Sequence, residues 1–285
     1  MAIDPGALAD AIEQVALSRR NLSFPVVTLQ ELLSRRFGVD VLDVSDAVHV
    51  MHDRALILGD RYPFSLASSV VRVVRDAELY EVLLHQSRST PFRDLVSPRV
   101  SSKQSKAFED TVEFCLGGLF GEGTRTVNFG WPSSCGRPQE FDRAVRWLGE
   151  KMGIADAGSF RPPRRRDGGV DVIVWRSFDD GRPGLLLALV QATLEVDSLR
   201  LKASDVDVAM WRHWLGLDAV PAVLLATPGS ITSVEEWNEI SVNAVLLDRM
   251  RLSLLAPSTK IPTASLIRDA RASHTLIDAD LDEYL

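Results

Sequence analysis

Two polar residues stand at the end of an otherwise apolar hairpin. Val170-Asp171-Val172-Ile173-Val174 and Leu187-Ala188-Leu189-Val190-Gln191-Ala192 are both runs that favour burial, and the turn residues Asp179-Asp180-Gly181-Arg182-Pro183-Gly184 lie between them. In an antiparallel ladder, directly opposed residues have a constant index sum, so a turn centred on Gly181 sets Asp171 opposite Gln191. A buried carboxylate must be paired or must bind a metal. A carboxylate beside an amide oxygen, close to strand carbonyls, offers the hard oxygen donors that Mg2+ takes. Glu109 is the candidate third ligand. It flanks an apolar stripe, next to Phe108 and one turn from Val112 and Glu113, on a helix that could pack against the hairpin.

Several elements must bring these residues together. Ser105 to Phe120 reads as an amphipathic helix with Phe108, Val112, Cys115, Leu116 and Leu119 on one stripe. Thr124–Phe129 is a strand candidate and Pro138–Gly153 a helix. Val170–Trp175 and Leu185–Thr193 are the two hairpin strands, the second apolar enough to be covered on both faces. Ser198–Leu215 reads as a helix, Pro221–Thr227 as a buried strand and Ser233–Leu255 as a long helix with a break near Leu247. The alternation of types predicts an α/β fold, a mixed sheet flanked by helices. Upstream, helices are expected over 5–20, 28–37 (Thr28 capping, with Glu31 three places on) and 45–56. A turn at Gly59–Phe64, an extended stretch at Val70–Val74 and a helix near Asp76–His85 follow. That pattern fits a small, mainly helical N-terminal domain, either a winged helix or a helical docking unit. The domain reading is 1–90 for this unit, 91–103 for a polar linker, 104–257 for the α/β domain and 258–285 for an acidic tail with disordered character.

Phe108-Glu109 on a first helix, Asp167-Gly168-Gly169-Val170-Asp171-Val172-Ile173 on one strand and Gln191 closing the next resemble the PD-(D/E)XK nuclease superfamily. The similarity is to its Mrr-like branch, whose third motif is Gln-x-Lys in place of Glu-x-Lys, and it covers residues 104–255. Gly168 to Trp214, with Arg182-Pro183-Gly184, Gln191-Ala192 and the Trp211/Trp214 pair, also resembles nuclease-like proteins of bacterial phage-defence loci. Leu58-Gly59-Asp60-Arg61-Tyr62-Pro63-Phe64 looks like part of the N-terminal region of that group. The resemblance implies a restriction-endonuclease-like fold. It also implies Mg2+ or Mn2+ held by Glu109, Asp171 and Gln191, DNA as substrate, and protein partners from the same defence operon. It implies as well a lysine two residues after Gln191, where this chain has Thr193. Two readings follow. Either Lys202 or Arg200, on the following helix, takes the lysine's role through a long flexible stem, or the site is degenerate and the fold serves as a DNA-binding or scaffolding subunit. Arg161, Arg164, Arg165 and Arg166, just ahead of the site strand, are candidates for phosphate contact.

Composition narrows the remaining classes. The formal net charge is −7, so DNA binding requires a local basic surface or partner subunits rather than bulk attraction. Cys115 and Cys135 have neither zinc-type nor redox spacing. There is no phosphate-binding loop, no dinucleotide fingerprint, and no HExxH or GxSxG motif. No apolar run reaches the ~18 residues of a membrane span and the N-terminus lacks a secretory pattern, so a cytoplasmic location is expected. A transcription regulator led by the N-terminal half is the third functional class. The acidic charge and the larger α/β half weigh against it.

Overall fold

The computed structural model describes residues 3–284 apart from 68, 97–99, 133–134, 155–166, 179, 181, 183 and 197–198. Twelve α-helices and eight strands lie among the described residues, in one small antiparallel sheet and one five-stranded mixed sheet.

The chain opens with α1 (Pro5–Ser18), where Asp4 accepts from the Ala7 N–H and Pro5 supplies a preset first turn. β1 (Ser23–Pro25) runs straight into α2 (Val26–Phe37). This helix begins two residues before Thr28, because the Ser69 carbonyl accepts from the Val26 N–H and replaces a side-chain cap. α3 (Val41–Leu58) starts earlier than its apolar spacing suggests, since Asp40 and Asp43 form a reciprocal capping box. β2 (Phe64–Ala67) and β3 (Val70–Val73) then form a hairpin, and β3 takes β1 on its other edge to give the order β1-β3-β2. α4 (Glu78–Gln86) and the short α5 (Arg93–Val96) follow.

The second sheet has the order β4-β5-β6-β7-β8, built from Arg125–Asn128, Val172–Ser177, Leu185–Ala192, Ala222–Ala226 and Val245–Leu247. β4, β5 and β6 are antiparallel neighbours, while β6, β7 and β8 run parallel. Alternate side chains reach two different cores. Val172, Val174, Ala188 and Val190 pack with α6 (Ser102–Cys115), α11 (Arg249–Leu255) and α12 (Ala264–Leu281). Ile173, Trp175, Leu187 and Leu189 pack with α7 (Phe141–Met152) and α9 (Val208–Leu215). The sheet is therefore covered on both faces, which explains why β5 and β6 read as continuous apolar runs.

Three expectations change in this part of the chain. Ser198–Leu215 is not one helix. α8 (Leu199–Lys202) stops, an irregular segment follows, and Asp207 caps α9 through the Met210 N–H. Ser233–Leu255 contains α10 (Val234–Ile240), then β8, then α11, itself capped by Asp248 through the Arg251 N–H. The acidic C-terminal stretch is folded, because Leu266, Ile267, Ala270, Ile277 and Leu281 bury one side of α12. Basic residues of the N-terminal unit hold its acidic side: Arg36 pairs with Asp280 at 2.9 Å, and Arg19 pairs with Asp278 and Asp282.

The residues predicted as a linker begin inside the first core, where Phe92 is fully buried. The two cores also share elements. α4 gives Tyr80 and Leu84 to the N-terminal core and Val82 and Leu83 to the sheet core, and Met250 of α11 reaches back to the first. A buried charge network sits at this seam. Asp10 of α1 takes Arg249 of α11 at 2.6 Å and Arg54 of α3 at 2.8 Å, and Arg54 also reaches Glu13 at 2.8 Å. The phenols of Tyr62 and Tyr80 donate to Glu13. Although burial alone would raise the Asp10 pKa, Arg249 and Arg54 hold it below the usual carboxylate value.

Candidate functional site

The hairpin register follows the constant sum. Val172 pairs with Val190, Ile173 with Leu189 and so on to Ser177 with Leu185. One step past the ladder the regular pairing ends: the Asp171 N–H donates to the Val190 carbonyl at 2.9 Å, which leaves Asp171 beside the end of β6 rather than in register with Gln191. The Asp171 carboxylate turns across the strand end and accepts from the Ala192 N–H at 2.8 Å. Asp171 and Gln191 line one cavity of about 250 Å³ together with Glu109, Asp167, Thr193, Glu195 and Lys202.

Glu109 arrives from α6. That helix starts at a capping box between Ser101 and Gln104, three residues before the sequence-based boundary at Ser105, and Phe108, Val112 and Cys115 bury its inner side. Phe129 and Gly130 both donate to the Asp171 carbonyl, and the Glu109 carboxylate rests on Gly130. A Cβ at position 130 would lie 2.8 Å from Glu109 Oε2, so glycine there is what lets the carboxylate come in beside the Asp171 backbone. Lys106, one turn back, donates to Glu109 at 2.9 Å and to Asn128 at 2.5 Å, and Asn128 donates on to Asp110 at 3.0 Å.

The pair Gly168-Gly169 has a physical reason. Both have positive φ, +65° and +79°. A Cβ on Gly168 would lie 3.0 Å from the Trp211 ring, whose indole N–H donates to the Gly168 carbonyl at 3.1 Å. A Cβ on Gly169 would lie 2.8 Å from the Asp205 carbonyl oxygen. The two glycines thus seat α9 and the segment between α8 and α9 directly on the site strand, with Lys202 at the end of α8 lining the cavity and Asp205 of that segment beside it, in contact with Gln191. Gly169→Ala is expected to lose roughly 1–3 kcal/mol, since it combines left-handed strain with a backbone clash. A urea melt measures the loss, and an unchanged midpoint would show that the segment moves away freely.

Electrostatics mark the cavity as short of positive charge. Burial, the nearby Glu109 carboxylate and Asp167 push the Asp171 carboxyl up to about 7, against the Ala192 N–H and Lys202, which favour its ionised form. Burial also raises the Glu109 pKa, with Lys106 opposing. Gln191 is 4% exposed; its Nε2 donates to Asp205 Oδ2 at 3.2 Å, while its Oε1 is buried with no hydrogen-bond partner. Lys202 Nζ lies 3.9 Å from Asp205 Oδ2.

The other sequence candidates separate from this group. Arg200 is not at the cavity; it is exposed and pairs with Glu239 at 3.2 Å. Thr193 lines the cavity, but its hydroxyl accepts from the Glu195 N–H in a local turn. Trp211 and Trp214 are core residues in an edge-to-face cluster with Phe129 and Phe141. Arg161, Arg164, Arg165 and Arg166 lie outside the described residues. Sequence reading missed Lys106, Asn128, Gly130 and Asp205. Lys106 stands one turn before Glu109 and was findable by helical spacing, whereas the other three become neighbours only through tertiary contact.

Glu109, Asp171 and Gln191 bring two carboxylates and one amide side chain to the lining of a single pocket, donor types that a small hard cation takes while keeping several of its own waters. Among the described residues no group of three His, Cys, Asp or Glu side chains is disposed to hold a metal, so a cation here needs at least one donor of another type, such as the Gln191 amide. Comparison with protein-family models, characterised proteins and solved structures finds no match for this chain. No helix among the described residues is long and apolar enough to cross a membrane.

Proposed function

We propose that the chain is a PD-(D/E)XK-type nuclease of restriction-endonuclease-like fold, acting on DNA with Mg2+ or Mn2+ in a bacterial anti-phage system. The observation that carries this reading is the meeting of Asp171, Gln191 and Glu109 in a single small cavity, with Gln191 Oε1 buried and unmet. The run α6, β4, α7, β5, β6, α8, α9, β7 supports the fold, since it keeps the order of the resembling motifs. The defence context rests only on the resemblance of Gly168 to Trp214 and of Leu58 to Phe64.

In this reading Asp171, Glu109 and Gln191 hold the cation. The cation, when bound, polarises a phosphate oxygen and lowers the pKa of a water. Lys202 takes the role vacated at Thr193: it reaches the cavity from α8 and its charge already favours ionised Asp171. Metal entry also requires Glu109 to exchange its bond to Lys106 for the cation.

That same bond favours a second reading, in which Lys106 permanently neutralises Glu109 and the fold is a non-cleaving subunit of a defence complex. The N-terminal unit is compatible with either. Its order α1, β1, α2, α3, β2, β3 with the small antiparallel sheet β1-β3-β2 supports the winged-helix reading of this unit. However, α3 carries Asp43, Asp46 and Asp53, and its one arginine, Arg54, is buried. A helix of that charge suits protein docking better than phosphate contact.

A plasmid-cleavage assay with Mg2+ and Mn2+, with and without co-expressed operon neighbours, separates the readings. Nicking that falls at least about 100-fold in Asp171→Ala is expected, because a ligand should cost no less than the outer partners of a metal site do. Absence of cleavage in every arm would favour the non-cleaving subunit.

A further inference from the structure

The amide of Gln191 has a defined orientation. Its Nε2 lies 3.2 Å from Asp205 Oδ2, and an ionised carboxylate only accepts hydrogen bonds. The nitrogen therefore faces Asp205 and the oxygen is turned away from it, buried and without a partner. Asp205 is itself held in place. Its N–H donates to the Lys202 carbonyl at 3.0 Å, its own carbonyl rests on Gly169, and its Oδ2 faces Lys202 Nζ at 3.9 Å.

We propose that Asp205 is a positioning residue of the cation site: it sets the Gln191 amide so that Oε1 is presented as a ligand, and it is the reason position 191 carries glutamine instead of glutamate. This rests on the nuclease reading above. A glutamate at 191 would place its carboxylate about as close to Asp205 as the amide is now, and two carboxylates at that distance cannot both ionise readily. Glutamine donates to Asp205, and its neutral oxygen, without a partner in the protein, is left for the cation. The negative charge missing from the third motif is thus supplied by Asp205, one residue further from the cation and acting through the amide. Lys202, beside the same carboxylate, is placed by the same contact.

Reciprocal exchange at the two positions tests this in the full-length protein. Free Mn2+ is followed by electron paramagnetic resonance at pH 8, with Asp171→Asn as the control for the site itself. Asp205→Asn, nearly the same shape, is expected to weaken Mn2+ binding about 10- to 100-fold, as outer partners of metal ligands typically do. Gln191→Glu alone is expected to weaken it too, through repulsion by Asp205. The double variant Gln191→Glu/Asp205→Asn restores a donor–acceptor pair and should return to within about two- to threefold of wild type, where independent effects would multiply. Melting midpoints without metal give a second reading of the pair: Gln191→Glu should lower the midpoint and Asp205→Asn should recover it. If Asp205→Asn binds Mn2+ like wild type, or the double variant is no better than the product of the single ones, Asp205 is not the positioning residue and the cation site stands. If wild type does not bind Mn2+, or Asp171→Asn binds equally well, the cation site falls and this inference with it.

Discussion

Asp171→Asn is expected to make the metal-free protein more stable while removing its response to Mg2+. The Asp171 carboxyl, pushed from 3.8 to about 7 by burial and by Glu109, keeps its proton in the folded state between pH 4 and 7, where the unfolded chain has already lost it. Stability contributed by that proton is complete below pH 4 and declines as pH rises through 7. Asparagine is neutral throughout, and its side-chain oxygen can still accept from the Ala192 N–H, so it does not decline. The advantage of the variant should therefore widen from pH 4 to 7 and then level off. Three pH units set an upper limit of about 4 kcal/mol. Asp171 is half-buried at the cavity wall, and water entering there reduces the gain to roughly 2–4 kcal/mol, or about 5–10 °C in melting temperature. Adding Mg2+ reverses the ranking, since only wild type gains binding free energy. Urea melts at pH 5 and pH 8, with and without Mg2+, measure all four corners. A variant less stable than wild type at pH 8 without metal would mean that the ionised carboxylate is already compensated.

The second large effect is at the seam of the two cores. Arg249→Met is expected to cost about 3–5 kcal/mol, because it leaves Asp10 and Glu13 to share Arg54 in a dry interior. That is a large part of the 5–15 kcal/mol typical of a folded domain. Asp10→Asn combined with Arg249→Met should cost clearly less than the two single changes added together, since the pair removes opposite charges. Arg249 follows β8 at the start of α11 and Asp10 lies in α1, so the same variant should uncouple the N-terminal unit from the sheet. Denaturation followed by far-UV circular dichroism and by tryptophan emission tests this, as the tryptophans Trp175, Trp211 and Trp214 belong to the sheet core. Wild type should show coincident transitions and Arg249→Met separated ones. Coincident transitions in both would show that the network is not the coupling element.

The pattern of success and failure in the sequence has physical causes. The hairpin was legible because β5 and β6 are buried on both faces and the register of a short hairpin is fixed by its index sum. That register brought Asp171 and Gln191 to the same strand ends, where both line one cavity. β8 was hidden because Asn243-Ala244-Val245-Leu246-Leu247 is short and sits between two helical stretches, and three to five apolar residues do not distinguish strand from helix. α12 was misread through its acidic composition, although Leu266, Ala270, Ile277 and Leu281 repeat at helical spacing. The break between α8 and α9 was missed since Asp205 and Asp207 look like surface residues of one helix. Their roles, one against Gln191 and one as a cap, depend on partners that local sequence does not reveal. Gly130 and Asn128 were invisible for the same reason, being defined by the approach of α6 to the sheet end.

Anomalous scattering from a Mn2+-soaked crystal is the most direct measurement of whether three separate elements build one cation pocket. A peak within coordination distance of the Asp171 carboxylate and Gln191 Oε1, with Glu109 swung from Lys106 toward it, is the expected result. A peak elsewhere, or none while Glu109 stays bonded to Lys106 at saturating Mn2+, would contradict it.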